Sequence, residues 1–545
     1  MGLSSDRAQA GRQPAGRQPA GRQPAGRTRD ASGAAGSGGG PSGRPNIVVI
    51  MADQQRADFT AGEGFVLDTM PFTDRLAGEG VRFRRAYTSA PLCVPARCSL
   101  LTGRFPKATQ VRQNSAAHFV VRGADMIDVL RESGYWLGFA GKTHFYREAA
   151  DFDAFSGPYG HLGGPPTADP EATAYDQWLN DFGHEVATEP TPFPLECQLP
   201  YRIVSDALGQ AAAAPAERPF FLWLSFPEPH NPYQVPEPYF SLFGESDVPG
   251  REAGPEAAVA KGGSWRWLRD VVEEKRPGYD GQWRRYRADY CGMLRLIDDQ
   301  IRRFVTGLRA LGRADNTLFV LVADHGDYAG EYGLQRKGAG MPECLMRIPM
   351  IFSGAGVTAG DNTTDFVSIV DVLPTICEAI GAEIPFGVQG RSLWPLLTGA
   401  GYPAAEFSSI YAEYGYGGLF YTHDERPPLH FPYEGRRFDE LNTVTQSGKT
   451  KMLRRDRWKL VFDATGRGEL YDLDSDPAEL CDRWPDPSLA AVRSELVQEL
   501  LRWTIRTDDD LPRADYTPKR AAHNWAGGAP PVRAGSEKKA MVDEG

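Results

Sequence analysis

The sequence lacks the features that typify secreted and membrane-bound chains. Its 545 residues include only seven cysteines, an odd number without a C-x-x-C pair, which disfavours a disulfide-stapled secreted fold. No apolar run reaches the length that spans a bilayer. The first residues contain neither the apolar core of a secretory signal nor the N-myristoylation pattern. These absences predict a soluble, cytoplasmic protein.

An excess of positive charge is also missing. The chain has 60 Lys and Arg against 71 Asp and Glu, a formal net charge of −11. This charge argues against nucleic acid or an anionic membrane as the main partner. It leaves a small anionic substrate open, because a local pocket can be positive on an acidic protein. A hydrophobic content of 41% allows the chain to form a sizeable core.

Composition divides the chain into four parts. A five-residue repeat, AGRQP, and the Gly/Ser run after it predict a disordered low-complexity tail over residues 1–44. We predict a catalytic domain over residues 45–400, a smaller C-terminal subdomain over 401–515 and a loosely ordered tail over 516–545. A large α/β body with a smaller appended part suits this chain length.

Four short apolar runs predict strands of the large domain. They are NIVVIMA (46–52), YWLGFA (135–140), FFLWLSF (220–226) and TLFVLVA (317–323). Runs without alternation are typical of strands buried on both faces. Helical patterns over residues 124–133, 286–311 and 368–380 accompany them. We therefore predict an α/β fold with a large, mostly parallel central sheet flanked by helices.

The C-terminal subdomain has a different pattern and is predicted to be α+β. The segments KMLRRDRWKLVFD and GELYDL predict two antiparallel strands of a short sheet. An amphipathic helix is predicted over residues 489–505.

Ionisable or metal-binding side chains follow each of the four predicted strands. Ligands of parallel sheets bind at the carboxyl ends of the strands, so we expect these side chains to meet at one edge. They are Asp53 and Gln54 after the first strand, Lys142 and His144 after the second, His230 after the third, and Asp324 and His325 after the fourth.

The segment CVPARCSLLTGR, residues 93–104, predicts a helix that begins with a cysteine. Pro95 suits the first turn, and Gly103 suits the end of the helix. Cys93 would lie where free N–H groups and the helix dipole favour negative charge. Arg97 lies one turn further on the same face. This arrangement suits attack on a tetrahedral oxyanion ester.

A buried structural cysteine is the alternative interpretation of any single cysteine. We assign six of the seven to it: Cys98, Cys197, Cys291, Cys344, Cys377 and Cys481.

The segment after Ala90 resembles the sulfatase signature C-x-P-x-R-x-x-x-L-T-G, in which the cysteine is oxidised to formylglycine. Other segments resemble landmarks of the same family, in the family's order, from about residue 44 to about residue 511. They are RPNIVVIMAD, GKTHF, PEPHNPY, VADHGDYAGEYGLQRKG, VDVLPTICEAIG, QGRSLWPLLTG and RRDRWKLVFD with ELYDLDSDPAEL. The chain thus resembles the type I, formylglycine-dependent sulfatases of the alkaline-phosphatase-like superfamily.

The resemblance implies hydrolysis of sulfate monoesters to an alcohol and inorganic sulfate. One hydroxyl of the hydrated formylglycine at position 93 would attack sulfur, and the other, once deprotonated, would expel sulfate. The implied metal ligands are Asp53, Asp324, His325 and the modified Cys93. Arg97 and Lys142 would hold residue 93 and its charge, and His144 would act as a base. His230 and Lys337 would bind sulfate, and either could protonate the leaving oxygen.

The pair Asp53-Gln54 departs from the two adjacent acids that many family members have. Gln54 either offers a neutral carbonyl oxygen to the metal, which makes it a tentative ligand, or does not ligate. Calcium is the first expectation for the divalent metal, with magnesium or manganese as alternatives. The Asp-Gln and Asp-His pairs resemble the choline-sulfatase and phosphonate monoester hydrolase branches. Hydrolysis of phosphonate monoesters or phosphodiesters is therefore the alternative function.

Two non-sulfatase hypotheses remain open at this point. One is a non-catalytic binder of sulfated ligands, and the other is an enzyme that uses the unmodified Cys93 thiol. The expected partners of a sulfatase are a small-molecule or saccharide sulfate ester and a formylglycine-generating enzyme. Specificity is expected from loops at the strand ends and from the aromatic segment at residues 415–433, whose rings either stack on a sugar or aryl ring or pack the two subdomains together.

Overall fold

A computed structural model describes residues 43–114, 117–425, 445, 447–508, 511 and 521–526. The elements named below belong to one unit, Arg44–Gly545. Of the tail predicted at 1–44 all but the last two residues lie outside the described residues, as does most of the tail predicted at 516–545. The domain boundaries at residues 400 and 515 stay a prediction.

The large sheet has eight strands among the described residues. They are β1 (Asn46–Ala52), β2 (Gly80–Tyr87), β3 (Trp136–Gly141), β4 (Ala154–Ser156), β5 (Phe220–Phe226), β6 (Thr317–Ala323), β7 (Met350–Gly354) and β8 (Gly360–Ser368). Their spatial order is β4-β3-β5-β1-β6-β7-β2-β8. β7 is antiparallel to β6 and β2, and the other pairs are parallel. The predicted, mostly parallel sheet is confirmed.

The four predicted strands are present, and the second is shifted by one residue. The other four, which the apolar runs did not reveal, are short or polar. β4 has three residues, β2 carries three arginines, and the first half of β8 is largely exposed. Strands towards the edges of a sheet carry polar residues because part of their surface stays in contact with water, which removes the long apolar run that marks a central strand.

Helices accompany the sheet along the chain. They are α1 (Pro71–Gly78), α2 (Cys93–Thr102), α3 (Pro106–Thr109), α4 (Met126–Glu132), α5 (Pro170–Phe182), α6 (Leu199–Ala213), α7 (Tyr239–Leu242), α8 (Pro255–Lys261), α9 (Gly263–Lys275), α10 (Trp283–Ala310), α11 (Glu343–Met346), α12 (Val372–Ala379), α13 (Trp394–Leu397) and α14 (Ala490–Arg506). The predicted helices correspond to α4, α10, α12 and α14, with ends that differ by up to four residues. Where the prediction began at Ser368, a 3₁₀ turn (Ile369–Asp371) precedes α12.

Both faces of the sheet are covered, and the central strand shows this directly. In β1, Ile47, Val49 and Met51 belong to one hydrophobic cluster with residues of α2, α4 and α12. Val48 and Ile50 belong to a second cluster with residues of α6 and α10. Successive side chains of a strand point to opposite faces, so the continuous apolar run reflects burial on both sides. No helix among the described residues is both long enough and apolar enough to cross a bilayer.

A second sheet of four antiparallel strands follows. It contains β9 (Ser409–Tyr414), β10 (Thr450–Arg455), β11 (Trp458–Asp463) and β12 (Gly468–Asp472), in the order β12-β11-β10-β9. The segment predicted as one strand, KMLRRDRWKLVFD, is a hairpin of two, because the chain turns at Asp456, whose φ is 50°. The helix α14 attaches to this sheet, where the Trp503 indole donates to the Ser409 hydroxyl at 2.9 Å.

The aromatic segment predicted at residues 415–433 is described only as far as Glu425. The Phe420 ring lies directly against Gly448, where an added Cβ would come within 2.3 Å of it. The Trp267 indole of α9 donates to the Glu425 carbonyl at 3.1 Å. In its described part, the segment therefore contacts neighbouring elements, and the role of its rings stays a prediction. Residues 426–433 lie outside the described residues.

The packing of a large side chain in the central strand β5 predicts the effect of one substitution. The Trp223 ring of β5 is fully buried and stacks on Phe145 with ring centroids 5.0 Å apart. Trp223→Ala should lower the free energy of unfolding by about 3–5 kcal/mol, since it leaves a cavity in the core. Urea unfolding followed by circular dichroism measures the change. Leu501→Ala, at a side chain that is 57% exposed, serves as control and should change it by less than about 0.5 kcal/mol. If both substitutions changed the free energy of unfolding equally, the position of the Trp223 ring in the core would be contradicted.

Candidate functional site

Four neighbouring strands bring the predicted side chains to one edge of the large sheet. β3, β5, β1 and β6 lie side by side and run parallel, so their carboxyl ends meet. Asp53 follows β1, and Asp324 follows β6. Lys142 and His144 follow β3, and His230 follows β5. The chain thus folds these side chains to a single edge, as the sequence predicts.

Four buried residues at this edge offer the ligand atoms of a metal site. Asp53, Cys93, Asp324 and His325 each contribute one atom, and these atoms lie within 4.8 Å of one another. The Cys93 sulfur lies 3.2 Å from the His325 Nε2 and 3.6 Å from the Asp53 Oδ1. The same Nε2 lies 3.8 Å from a carboxylate oxygen of each aspartate. Among the described residues, this is the cluster of acidic, histidine and cysteine side chains whose geometry suits a metal ion.

The hydrogen bonds around these ligand atoms fit a divalent cation. The His325 Nδ1 lies 2.8 Å from the Gly326 carbonyl, which can only accept, so the proton of the neutral ring sits on Nδ1 and the lone pair of Nε2 faces the cluster. Burial lowers the pKa of His325 to about 4, which keeps the ring neutral. The Asp324 Oδ1 accepts the backbone N–H groups of Gln54 and His325, both at 2.9 Å. Carboxylate oxygens with one imidazole suit calcium, magnesium or manganese.

Arg97 forms ion pairs with both aspartates, and Lys142 forms an ion pair with Asp53. The Arg97 Nε lies 2.9 Å from the Asp324 Oδ2, and its Nη2 lies 3.4 Å from the Asp53 Oδ2. The Lys142 ammonium pairs with the same Asp53 oxygen. Burial opposes ionisation of Asp53, but the positive charges of Lys142 and Arg97 outweigh it and hold its pKa well below its usual range. The cluster therefore keeps an ionised Asp53 inside the protein.

Cys93 begins α2, as predicted, with Arg97 one turn later and Gly103 at the end of the helix with a φ of 62°. The sequence predicts that the helix N-terminus favours negative charge at this position, but the surroundings of the thiol disfavour its ionisation. Burial and then the charge of Asp53 raise the pKa of Cys93 to about 12. Because a thiol is nucleophilic as its thiolate, the unmodified side chain is a poor nucleophile at neutral pH.

The other six cysteines divide by exposure. Four are buried, as predicted: Cys98, Cys197, Cys291 and Cys377. Cys344 is half-buried and Cys481 is exposed, so the prediction of a buried position is wrong for Cys481. It lies in the loop after β12, where no apolar run argued for burial.

Gln54 bridges Lys337 to a buried aspartate that the sequence analysis missed. The Lys337 Nζ donates to the Gln54 Oε1 at 2.8 Å, and the Gln54 Nε2 donates to the Asp327 Oδ2 at 2.6 Å. Because an ammonium only donates and a carboxylate only accepts, this pair of partners fixes which way the amide points. The sequence feature that could have identified Asp327 is its position in the segment D-H-G-D, two residues after His325.

Asp327 is itself held by several donors. Its carboxylate accepts the Tyr233 hydroxyl at 2.9 Å, the Tyr286 hydroxyl, and the backbone N–H of Ala329 at 2.7 Å and of Arg336 at 3.0 Å. These bonds make Asp327 a fixed acceptor behind Gln54.

Four histidines lie close together at the same edge. His144 adopts a φ of 47°, and burial, then Lys142 and Arg97, hold its pKa well below its usual range. The His230 Nδ1 lies 2.8 Å from the Asn231 carbonyl. The His161 ring lies 4.5 Å from that of His230 and 5.2 Å from that of His184.

Sequence reasoning missed His161 and His184, because no predicted strand precedes either of them. Burial also lowers the pKa of His161 and of His230 well below the usual range. The edge therefore carries neutral imidazoles beside the charged Lys142.

These groups together suit hydrolysis of an anionic ester. Asp53, Asp324 and His325 can hold a cation next to position 93. Arg97, Lys142 and Lys337 supply positive charge, and neutral imidazoles can accept a proton.

Comparison with known proteins relates this geometry to one family. The family model for sulfatases matches residues 45–382. The multifunctional alkaline phosphatase superfamily protein PehA of Trinickia caryophylli is 28% identical over 516 residues, which cover 86% of this chain and 96% of that protein. An arylsulfatase of Clostridium perfringens is 27% identical over 468 residues, which cover 80% of this chain and 89% of that protein.

A solved structure shows the same fold. The crystal structure of the phosphonate monoester hydrolase of Agrobacterium radiobacter superposes with a TM-score of 0.68 at 23% identity. The superposition covers 85% of this chain and 96% of that one. The two proteins therefore share their fold over nearly the whole length of the hydrolase, in agreement with the predicted alkaline-phosphatase-like fold.

The bridge through Gln54 predicts the outcome of a charge exchange. Gln54→Glu places a second carboxylate against Asp327. The free energy of unfolding of this variant should therefore be lower than that of the unmodified chain by about 3 kcal/mol. Adding Asp327→Asn restores one donor and one acceptor between the two positions, so the double variant should recover most of that loss. Differential scanning calorimetry of both variants and of Asp327→Asn alone completes the cycle. A double variant no more stable than Gln54→Glu would show that the two side chains do not interact.

Proposed function

The chain belongs to the sulfatase family, and on that premise we propose that its sheet-edge site works through a formylglycine made from Cys93 and one bound divalent cation. The chain is a sulfuric ester hydrolase, which cleaves sulfate monoesters to an alcohol and inorganic sulfate. The observation that carries the proposal is the position of Cys93. It lies at the start of α2, within 3.6 Å of both Asp53 and His325, beside three buried or half-buried cations.

The surroundings of position 93 fit an oxygen nucleophile better than a thiol. Oxidised to formylglycine and hydrated, this residue supplies a hydroxyl as nucleophile, and a bound cation supplies positive charge beside it. The chain provides polar neighbours on several sides of the Cys93 sulfur, including Asp53, His325 and Lys337. Burial and the charge of Asp53 favour the protonated thiol, which speaks against the hypothesis of an unmodified cysteine enzyme.

Lys142 and Arg97 position the charged groups. Both are fully buried, and both pair with Asp53. Arg97 also donates to the Lys142 carbonyl at 3.1 Å and to the Ser225 hydroxyl at 2.7 Å, so the end of β3 and the start of α2 are tied together. We assign these two residues to holding residue 93 and the metal ligands in place.

Lys337 and His230 are proposed to bind the sulfate group. Burial works against the charge of Lys337, but the carboxylates of Asp53 and Asp324 raise its pKa, so it stays protonated. His230 is neutral, with Nδ1 engaged by the Asn231 carbonyl. Of the two, Lys337 is therefore the group that carries a proton available to the leaving oxygen, whereas His230 has a lone pair on Nε2 and would need a second proton there to donate to a sulfate oxygen.

His144 is proposed as the base near position 93. Its neutral ring can accept a proton, because burial and the neighbouring cations disfavour the imidazolium. That property suits removal of a proton from a hydroxyl at residue 93 when sulfate is expelled.

We propose calcium as the cation, with magnesium or manganese as alternatives. The two carboxylates of the cluster favour a hard cation, while the His325 nitrogen and the neutral Gln54 lower the negative charge around it. The Gln54 amide oxygen is engaged by Lys337 at 2.8 Å, which supports a role for Gln54 in holding Lys337.

A second candidate is hydrolysis of phosphonate monoesters or phosphodiesters on the same scaffold. The Asp53-Gln54 and Asp324-His325 pairs favour it, and so does the likeness to PehA, whose name describes a multifunctional protein. A non-catalytic binder of sulfated ligands is the weakest alternative, because the catalytic side chains that the family resemblance implies are all present.

The proposal implies partners and a location. A formylglycine-generating enzyme must act on Cys93, and the substrate is a small-molecule or saccharide sulfate ester. We propose a cytoplasmic location, which is supported by the seven cysteines, none of which is paired in a disulfide.

Cys93→Ser tests the role of the oxidised residue. A serine can accept the sulfuryl group but has no second hydroxyl with which to expel it, so turnover of 4-nitrophenyl sulfate should fall at least about 100-fold while the fold is kept. Cys481→Ser, at the exposed cysteine, is the matched control and should keep full turnover. The same assay with 4-nitrophenyl phenylphosphonate compares the two candidate functions, and a higher kcat/KM for the sulfate ester is expected. Full activity of Cys93→Ser would rule out the aldehyde mechanism.

A further inference from the structure

A cavity of about 180 Å³ lies beside the start of α2, outside the cluster described above. One wall comes from the turn before α2 and from its first turn, with Leu92 and Pro95. The opposite wall comes from the ends of two strands of the small sheet, with Tyr414 of β9 and Lys451 of β10. We refer to this space as the basic cavity, for the charges that line it.

Basic side chains outnumber acidic ones among the residues that line the basic cavity. Four cationic side chains face one carboxylate, a formal charge of +3 on a chain whose net charge is −11: Lys107, Arg112, Lys449 and Lys451 against Glu413. Such a concentration of one sign in a recess attracts ligands of the opposite sign. The acidic net charge of the chain therefore does not exclude attraction of an anion to this recess.

The single carboxylate of the cavity is already engaged. Glu413 accepts the backbone N–H of Lys107 at 2.5 Å and the Tyr411 hydroxyl at 2.8 Å, and it pairs with Lys451 at 3.2 Å. Lys107 pairs with Asp508, which does not line the cavity. Two of the four cations are thus partly compensated.

Arg112 and Lys449 are the cations left for a ligand. Within the described parts of the chain, neither forms an ion pair with a carboxylate, and the contact of the Arg112 guanidinium is the Gln110 amide oxygen at 3.4 Å. A guanidinium and an ammonium in one recess can bind a carboxylate or a sulfate group through charge-assisted hydrogen bonds.

The walls of the basic cavity are continuous with the segments that carry the proposed reaction. Leu92 directly precedes Cys93. The Tyr414 hydroxyl donates to the carbonyl of Gly338, the neighbour of Lys337. Pro95 and Tyr414 add apolar surface of the kind that covers one face of a sugar or aryl ring. The cavity is therefore lined by residues that are neighbours of both segments that would hold the ester group.

We propose that the basic cavity is a subsite for an anionic substituent on the alcohol part of the substrate. The substituent is a carboxylate or a second sulfate. Arg112 and Lys449 bind this group in the same complex in which the sulfate to be cleaved lies at position 93. This inference rests on the proposed function and narrows its substrate class to esters that carry at least two negative charges, such as multiply sulfated or uronate-containing saccharides.

Calorimetric binding to the Cys93→Ser chain tests the subsite without turnover. The probes are a trisulfated, uronate-containing heparin disaccharide and 4-nitrophenyl sulfate, which carries one negative charge. The Cys93→Ser chain should bind the disaccharide more tightly. Combining it with Arg112→Ala and Lys449→Ala should reduce the ratio of the two affinities by about tenfold or more, since two charge-assisted contacts are lost.

A matched control removes the same charge elsewhere. Arg455→Ala with Arg502→Ala, at exposed side chains outside the cavity, should leave the affinity ratio unchanged. A ratio that falls equally in both variants would mean that only long-range charge matters and would overturn the subsite. So would equal binding of the two probes, or a ratio that Arg112→Ala and Lys449→Ala do not change.

Failure of the subsite can be told apart from failure of the proposed reaction. If the ratio falls as expected while the intact, oxidised chain hydrolyses neither probe nor 4-nitrophenyl phenylphosphonate, the anion subsite stands and the sulfatase activity does not. If 4-nitrophenyl sulfate is hydrolysed and the ratio does not change, the activity stands and the subsite is wrong.

Discussion

The ion pairs of Arg97 with Asp53 and Asp324 are the constraint on which the rest of the site depends. Arg97 belongs to α2, and the two aspartates follow the adjacent strands β1 and β6, so one buried guanidinium fixes a helix against two strand ends. Removing one partner of such a buried pair typically costs about 3–5 kcal/mol, because the other charge stays uncompensated. Cys93 lies one turn before Arg97, so its position relative to both carboxylates follows from the same contacts.

The protonation states at this edge form a consistent set. Lys142 and Arg97 keep Asp53 ionised against the cost of burial, whereas burial keeps His144, His230 and His325 neutral. Lys337 stays charged, and a neutral amide rather than a carboxylate holds it in place. The site therefore presents positive charge to a substrate anion while retaining two carboxylates for a cation. That division of charge suits hydrolysis of a sulfate ester and tolerates other anionic esters.

Much of the site was predictable, because its residues follow apolar runs that are unmistakable as central strands. Asp53, His230 and Asp324 were located in this way, and the Cys93 helix followed from Pro95 and Gly103. Asp327, His161 and His184 were not found, since their places depend on tertiary contacts that no local pattern encodes. The edge strand β8 and its neighbour β2 were missed for a related reason, because their polar residues interrupt the apolar run that marks a strand. The turn at Asp456 requires a positive φ, and a continuous strand pattern does not reveal it.

Mass spectrometry of the peptide from Ala86 to Arg104 shows directly whether Cys93 is converted to formylglycine. The protein should be produced in a host that contains a formylglycine-generating enzyme, so that Cys93 can be oxidised. Cys93 should have lost its sulfur and carry an aldehyde oxygen, while Cys98 in the same peptide should remain a thiol. A peptide in which Cys93 is wholly unmodified, although the maturation enzyme is present, would contradict the proposed mechanism.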